Sequence, residues 1–150
     1  MAIGDVMRTR VVSVDAAETA RVAVLRMLEE SVGSIAVTEG GRLVGIFTER
    51  DVLRLAGEAT DLDAVRVAEV MTRDPVTVDA REGVLDAARL MGERRIRHLP
   101  VVEGEHLLGM VGIRDLLGSI VERLWQAHDT DAHETARTLF KSERQATSSS

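Results

Sequence analysis

The sequence has no cysteine among its 150 residues, which excludes both a disulfide framework and a thiolate metal site. Aromatic residues are nearly absent: Phe47, Trp125 and Phe140 are the full set. Any core must therefore be built from Val, Ile, Leu, Met and Ala, which the ordinary apolar fraction of 45% allows. No apolar run approaches the roughly 20 residues that a helix needs to cross a bilayer. The first residues, Met1-Ala2-Ile3-Gly4-Asp5, have neither the basic start nor the apolar stretch of a secretory signal. A cytoplasmic location and no membrane partner are the expectations. The formal charge of −6 argues against a general nucleic-acid binder, which needs a basic surface. It leaves room for one small anion on a local cationic patch. No phosphate-binding loop, dinucleotide glycine fingerprint, zinc-protease motif or nucleophile elbow is present. No Ser/His/Asp set is suggested, so no catalytic residue and no enzyme activity are expected. His128-Asp129-Thr130-Asp131-Ala132-His133 holds metal-ligand types at no useful spacing and reads as an exposed turn, not a metal site.

What the chain does contain is a duplication. Shifted by 64 positions, Ile3–Arg54 aligns on Val67–Gly118 without a gap, and 18 of 52 positions are identical. Met7 falls on Met71, Asp15 on Asp79, Gly45 on Gly109 and Asp51 on Asp115. Chance likeness of short apolar elements would not keep glycines and charges in register. Each copy reads as β-α-β-β-α. The β-branched runs Val11–Val14 and Val76–Val78 predict a first strand. Ala20, Ala23, Val24, Met27 and Leu28, repeated as Val84, Ala87, Ala88 and Met91, have helical spacing. Asp15 and Glu18, like Asp79 and Glu82, put negative charge near that helix's N-terminus, where its dipole favours it. The methionines read as core filler. Strands over Ser34–Thr38 and Leu43–Phe47, and over His98–Val102 and Leu107–Val111, flank glycine-containing turns and predict hairpins. A last helix starts near Thr48 and near Gly112. One such unit cannot cover both faces of its sheet, but two copies packed sheet to sheet can. The expected architecture is α/β, of the α+β type, with two repeats about a pseudo-twofold axis.

At the junction of third strand and last helix stands Gly45-Ile46-Phe47-Thr48-Glu49-Arg50-Asp51. Together with Leu43-Val44, Val70-Met71-Thr72 and Leu99-Pro100-Val101-Val102, this resembles the cystathionine-β-synthase (CBS) domain family over roughly residues 1–120. The G-x-x-T-x-x-D junction, duplicated within this element order, carries the resemblance. Two CBS domains in tandem form a Bateman module, which implies binding of adenosine-containing ligands between the repeats and pairing into disc-like dimers. The expected divisions are 1–57 (repeat 1), 58–66 (connector), 67–118 (repeat 2), 119–141 (helical extension) and 142–150 (disordered tail).

The residues give this chemistry a physical basis. A helix N-terminus has unpaired N–H groups and partial positive charge, suited to an anion. Thr48 adds a hydroxyl donor for a phosphate oxygen. The Asp51 carboxylate would repel phosphate but suits a ribose diol, accepting one bond from each hydroxyl. Thr48-x-x-Asp51 is equally a capping-box pair. In repeat 2 Gly112 replaces Thr48 while Asp115 remains. The resemblance implies that the Asp of one repeat works with strands of the other. A first site would then join Thr48 and Asp51 to Thr77, Arg97, His98, Leu99 and Pro100. Arg95-Ile96-Arg97-His98 is the most cationic stretch, and a solvated helix end explains it as well as phosphate contact does. A second, weaker site would join Asp115 to Ser13, Ser34, Ile35 and Ala36. The first is expected to favour a charged nucleotide.

After repeat 2 the stripe Leu116, Leu117, Ile120, Val121, Leu124 and Trp125 continues a helix, and Ala132–Lys141 predicts another. Both could pack on the module itself or form a dimer or partner contact. The expected function is a stand-alone CBS-pair sensor that binds AMP, ADP or ATP, needs no obligatory cofactor, forms a homodimer and signals to an unnamed protein. S-adenosylmethionine or NAD is the alternative ligand. A purely structural dimerisation module is the alternative from another class.

Overall fold

A computed structural model of the chain describes residues 1–127. The predicted helix at 132–141, the tail at 142–150 and the 128–133 turn lie outside the described residues. The chain divides into two compact units, Met1–Ile113 and Arg114–Ser150. The first unit contains both sheets.

Repeat 1 runs β1 (Ser13–Asp15), α1 (Ala20–Glu30), β2 (Ser34–Glu39), β3 (Arg42–Thr48) and α2 (Glu49–Gly57). Next come a short helix α3 (Val67–Val70) and β4 (Thr72–Arg73). Repeat 2 continues as β5 (Val78–Asp79), α4 (Val84–Arg94), β6 (His98–Glu103), β7 (His106–Gly112) and α5 (Ile113–Gln126). The β-α-β-β-α order occurs twice. β1 pairs parallel with β2, because a helix crosses between them, and β2 pairs antiparallel with β3 through a tight turn. β5, β6 and β7 repeat this arrangement. In the first turn Gly40 and Gly41 stand at φ of 58° and 80°, a left-handed pair that only glycine adopts without strain. Both hairpins carry an irregularity at the same place, between Val37 and Thr38 and between Val101 and Val102.

The repeats exchange their leading segments. β4 precedes the second repeat's own strands, yet it joins the first sheet, pairing antiparallel with β3 at Gly45↔Arg73 and Ile46↔Thr72. The reverse exchange puts Arg8 on β7. The Arg8 N–H donates to the Met110 carbonyl at 2.9 Å, and the Met110 N–H returns to the Arg8 carbonyl at 3.2 Å. Ahead of each crossing strand a helical turn docks on the other repeat. The Ile3 N–H donates to the Glu82 carbonyl and the Val67 N–H to the Glu18 carbonyl, both at 2.8 Å. These two bonds map onto each other under the 64-residue shift, so the pseudo-twofold relation is present in individual hydrogen bonds. Val67, from the second repeat's leading turn, is fully buried in the core of the first, with Val14, Met27, Ile35, Phe47 and Leu55. Met27 and Met91 are buried, as core filler should be.

Two expectations gain detail. Asp15 and Asp79 each make a specific local bond beyond any dipole effect. Asp15 Oδ1 accepts the Ala17 N–H at 2.9 Å and Asp79 Oδ1 accepts the Arg81 N–H at 2.8 Å, so each closes the turn leaving its strand. The N-cap of α1 is Thr19, whose hydroxyl accepts the Val22 N–H at 3.3 Å. The 58–66 segment is more than a connector. Its Val65 and Leu62 carbonyls accept the Ala20 and Arg21 N–H groups at 2.9 and 3.1 Å, satisfying the first turn of α1.

Candidate functional site

Thr48 is the N-cap of α2, and Asp51 stands three residues into it. The Thr48 N–H donates to Asp51 Oδ2 at 2.9 Å, and the Thr48 hydroxyl donates to the same oxygen at 3.3 Å. Asp51 is buried, with Oδ1 facing Arg54 Nη2 at 3.6 Å. The capping role is therefore real. It does not use up the carboxylate. A carboxylate accepts about four hydrogen bonds, two per oxygen, and Oδ1 receives none from the described residues. The helix end is less open to an anion than its sequence suggests. The Thr48 N–H is held by Asp51, and the Glu49 N–H donates to the Gly33 carbonyl at 3.0 Å.

Thr48 and Asp51 line a cleft of about 500 Å³, well within the range of small-molecule sites. Arg97, His98 and Pro100 of repeat 2 also line it, so the structure brings together five of the seven residues assigned to the first site. The other two lie elsewhere. Leu99 points away into the core and is fully buried, because side chains alternate along β6. Thr77 lines a neighbouring hollow of about 330 Å³ with Val44, Val102 and the hairpin tips. There Arg42 of one hairpin and Glu105 of the other form an exposed ion pair. The Arg42 guanidinium holds the Glu105 carboxyl below the usual carboxylate range, and Glu105 raises Arg42 in turn.

Sequence reasoning missed a third wall. Thr72, Asp74, Pro75 and Val76 line the cleft because the crossing segment passes there. The repeat alignment could not show this, since it compares like with like and says nothing of exchange. Glu49 and Arg50 were also missed, although Glu49 and Asp74 could have been found where the copies disagree; Arg95, part of the cationic stretch singled out above, does line the cleft. Of the second group, Ser13 and Ala36 are Cα partners across β1 and β2, and Ser34 and Ile35 precede Ala36 on β2. Ser34, Ile35 and Ala36 are buried. Asp115 stands in the first turn of α5, in the second unit.

Comparison with known proteins gives the same assignment as the motif. A family model described as the CBS domain matches residues 3–58 and again 67–122. The CBS domain-containing protein YhcV of Bacillus subtilis is 36% identical over 115 residues, which are 76% of this chain and 81% of YhcV. An uncharacterized 33.4 kDa protein from the ribosomal RNA operon of Thermofilum pendens is 40% identical over 95 residues, 63% of this chain but 31% of that protein. The chain thus spans most of one relative and a minor part of another. A solved structure, a CBS domain protein from Pyrobaculum aerophilum complexed with AMP, matches with a TM-score of 0.72 at 28% identity, over 77% of this chain and 89% of that one. Among the described residues no group of His, Cys, Asp and Glu could hold a metal ion, and no helix is long and apolar enough to cross a membrane. The chain belongs to the CBS domain family, as a tandem pair of the Bateman type, and is a regulatory module.

Proposed function

We propose that this module senses an adenine nucleotide (AMP, ADP or ATP) bound between Thr48 and Asp51 of repeat 1 and Arg97, His98 and Pro100 of repeat 2, and signals its presence to a partner protein. The observation that carries the reading is the cleft itself, which gathers a threonine hydroxyl, a buried carboxylate and cationic groups from both repeats. Asp51 Oδ1 takes the ribose diol while Oδ2 keeps its capping bonds. The cationic wall faces the phosphate, and Ile46, Val76 and Pro100 supply apolar surface for the base. The AMP complex of the Pyrobaculum aerophilum relative supports the ligand class. A ligand that touches both repeats shifts the population between their arrangements by its differential affinity. The proposed setting is cytoplasmic and homodimeric. Leu117, Val121, Leu124 and Trp125 of α5 are exposed apolar residues of the kind that such a contact covers. Sedimentation of the wild type against a Val121→Glu/Leu124→Glu variant reads this directly, with a shift to monomer expected.

The capping bonds of Asp51 favour a second reading, a structural module that binds nothing. Calorimetric titration with AMP, ADP, ATP, S-adenosylmethionine and NAD decides between them. Asp51→Asn keeps an acceptor for the Thr48 N–H but loses the charge-assisted bonds to a diol. Its affinity for AMP should fall roughly 10-fold or more, with little change in melting temperature. Should no ligand bind, or should Asp51 variants lose stability at unchanged affinity, the structural reading stands. Preference for S-adenosylmethionine or NAD would replace the proposed ligand class.

A further inference from the structure

We propose that the cleft selects its ligand by charge: Glu49 and Asp74 oppose a polyphosphate tail, so that adenosine ligands with one phosphate or none bind ahead of di- and triphosphates. This rests on the nucleotide reading of the same cleft and specifies it. The lining holds three carboxylates, Glu49, Asp51 and Asp74, against three guanidiniums, Arg50, Arg95 and Arg97. These cancel formally, so the lining has no surplus of guanidinium over carboxylate charge. A monophosphate brings about two negative charges, and every further phosphate adds to them. A neutral cleft has no surplus of cations to meet the longer tail.

Two of the carboxylates are not explained by the fold. Neither the Glu49 nor the Asp74 side chain has a hydrogen bond or ion pair among the described residues. Their counterparts under the 64-residue shift are Ile113 and Arg10, so the same two places in the architecture accept an apolar and a basic residue. Glu49 also stands where it matters. Its Oε1 lies 2.9 Å from the point that a Gly33 Cβ would take, and His98 Cε1 lies 3.4 Å from that point. A carboxylate is thus placed beside the imidazole, in the first turn of α2, the region an anion would seek. The helix end cannot offset it fully, because the Glu49 N–H already donates to Gly33. Asp74 enters on the crossing segment at φ 46°, a left-handed conformation that Asp tolerates, directly before Pro75 of the same lining.

Calorimetry with adenosine, AMP, ADP and ATP, for the wild type and a Glu49→Gln/Asp74→Asn variant, tests this. Both substitutions are close to isosteric, and Asn keeps the tolerance for positive φ. At low salt the wild type should bind AMP roughly 10-fold tighter than ATP, and the variant should gain about 5-fold for ATP while adenosine moves much less. At about 0.5 M salt the difference between the two proteins should shrink, since screening weakens exposed charges. Equal or tighter binding of ATP by the wild type, or an unchanged AMP-to-ATP ratio in the variant, overturns the proposal while leaving the nucleotide site intact. Failure of all four ligands, adenosine included, overturns both.

Discussion

Asp51 caps α2 and, in the proposed site, also meets the ligand. Its burial would be costly for a lone carboxylate, and the Thr48 N–H and hydroxyl compensate through Oδ2. In the proposed site, cap and ligand contact fall to different oxygens of the same group. Removing the whole side chain, as in Asp51→Ala, should therefore lower stability by about 0.5–2 kcal/mol as well as abolish binding. Gly45 and Gly109 illustrate a different constraint at this scale. A Cβ on Gly45 would stand 2.4 Å from Met71 Sδ and 2.8 Å from the Thr72 carbonyl oxygen. On Gly109 it would stand 2.6 Å from the Arg8 carbonyl oxygen and 2.9 Å from Met7 Sδ. The methionine of each leading segment crosses over the glycine of the other repeat. A flexible thioether can move, but a paired backbone carbonyl cannot. Gly45→Ala and Gly109→Ala should each cost about 1–3 kcal/mol by urea denaturation. Gly57→Ala, with open space at its Cβ, should cost nothing measurable.

At the scale of elements, the short pieces matter more than their length suggests. α3 has four residues and β4 two, too few to be stable alone. They persist because Val67 is buried in the first repeat's core and β3 offers a free edge. Val67→Ala should remove about 1.5–3 kcal/mol, and the loss should appear in repeat 1. Hydrogen exchange would then speed up at α1 and β2 ahead of α4 and β6. Equal acceleration in both repeats would mean that they open as one cooperative body.

Across the two repeats, the Arg42–Glu105 pair is a tie between hairpin tips. Both side chains are largely exposed, at 66% and 74%, so the tie is weak and sensitive to salt. Its pH dependence has a definite sign. Arg42 holds the folded-state pKa of Glu105 below its unfolded value. The contribution is therefore fully present above the unfolded carboxylate pKa and is lost as pH falls through the depressed one. Glu105→Gln should lower the unfolding midpoint slightly at neutral pH and low salt. In acid, or at high salt, it should match the wild type. A persistent difference in acid would show that Glu105 acts through packing instead of charge.

Much of this was legible in the sequence because it depends on residues close together in the chain. The duplication, the β-α-β-β-α order and the Thr48–Asp51 cap all follow from local periodicity and short spacings. Helix and hairpin boundaries fell within a few residues, whereas β1 and β5 begin later than the β-branched runs, since parallel pairing to β2 and β6 sets where they count as strands. Local patterns also ranked Leu99 with His98 and Pro100, although alternation along β6 turns it inward. What only the tertiary structure decided is the exchange of leading segments. It depends on pairings such as Ile46 with Thr72 and Arg8 with Met110, 26 and 102 positions apart, for which neither propensity nor repeat alignment carries a signal. That exchange places Met71 over Gly45 and Met7 over Gly109, and it brings Asp74 into the cleft. The chain's own amino acids specified two copies of a unit; the segment crossing from one copy to the other added Asp74 to the cleft between Asp51 and His98.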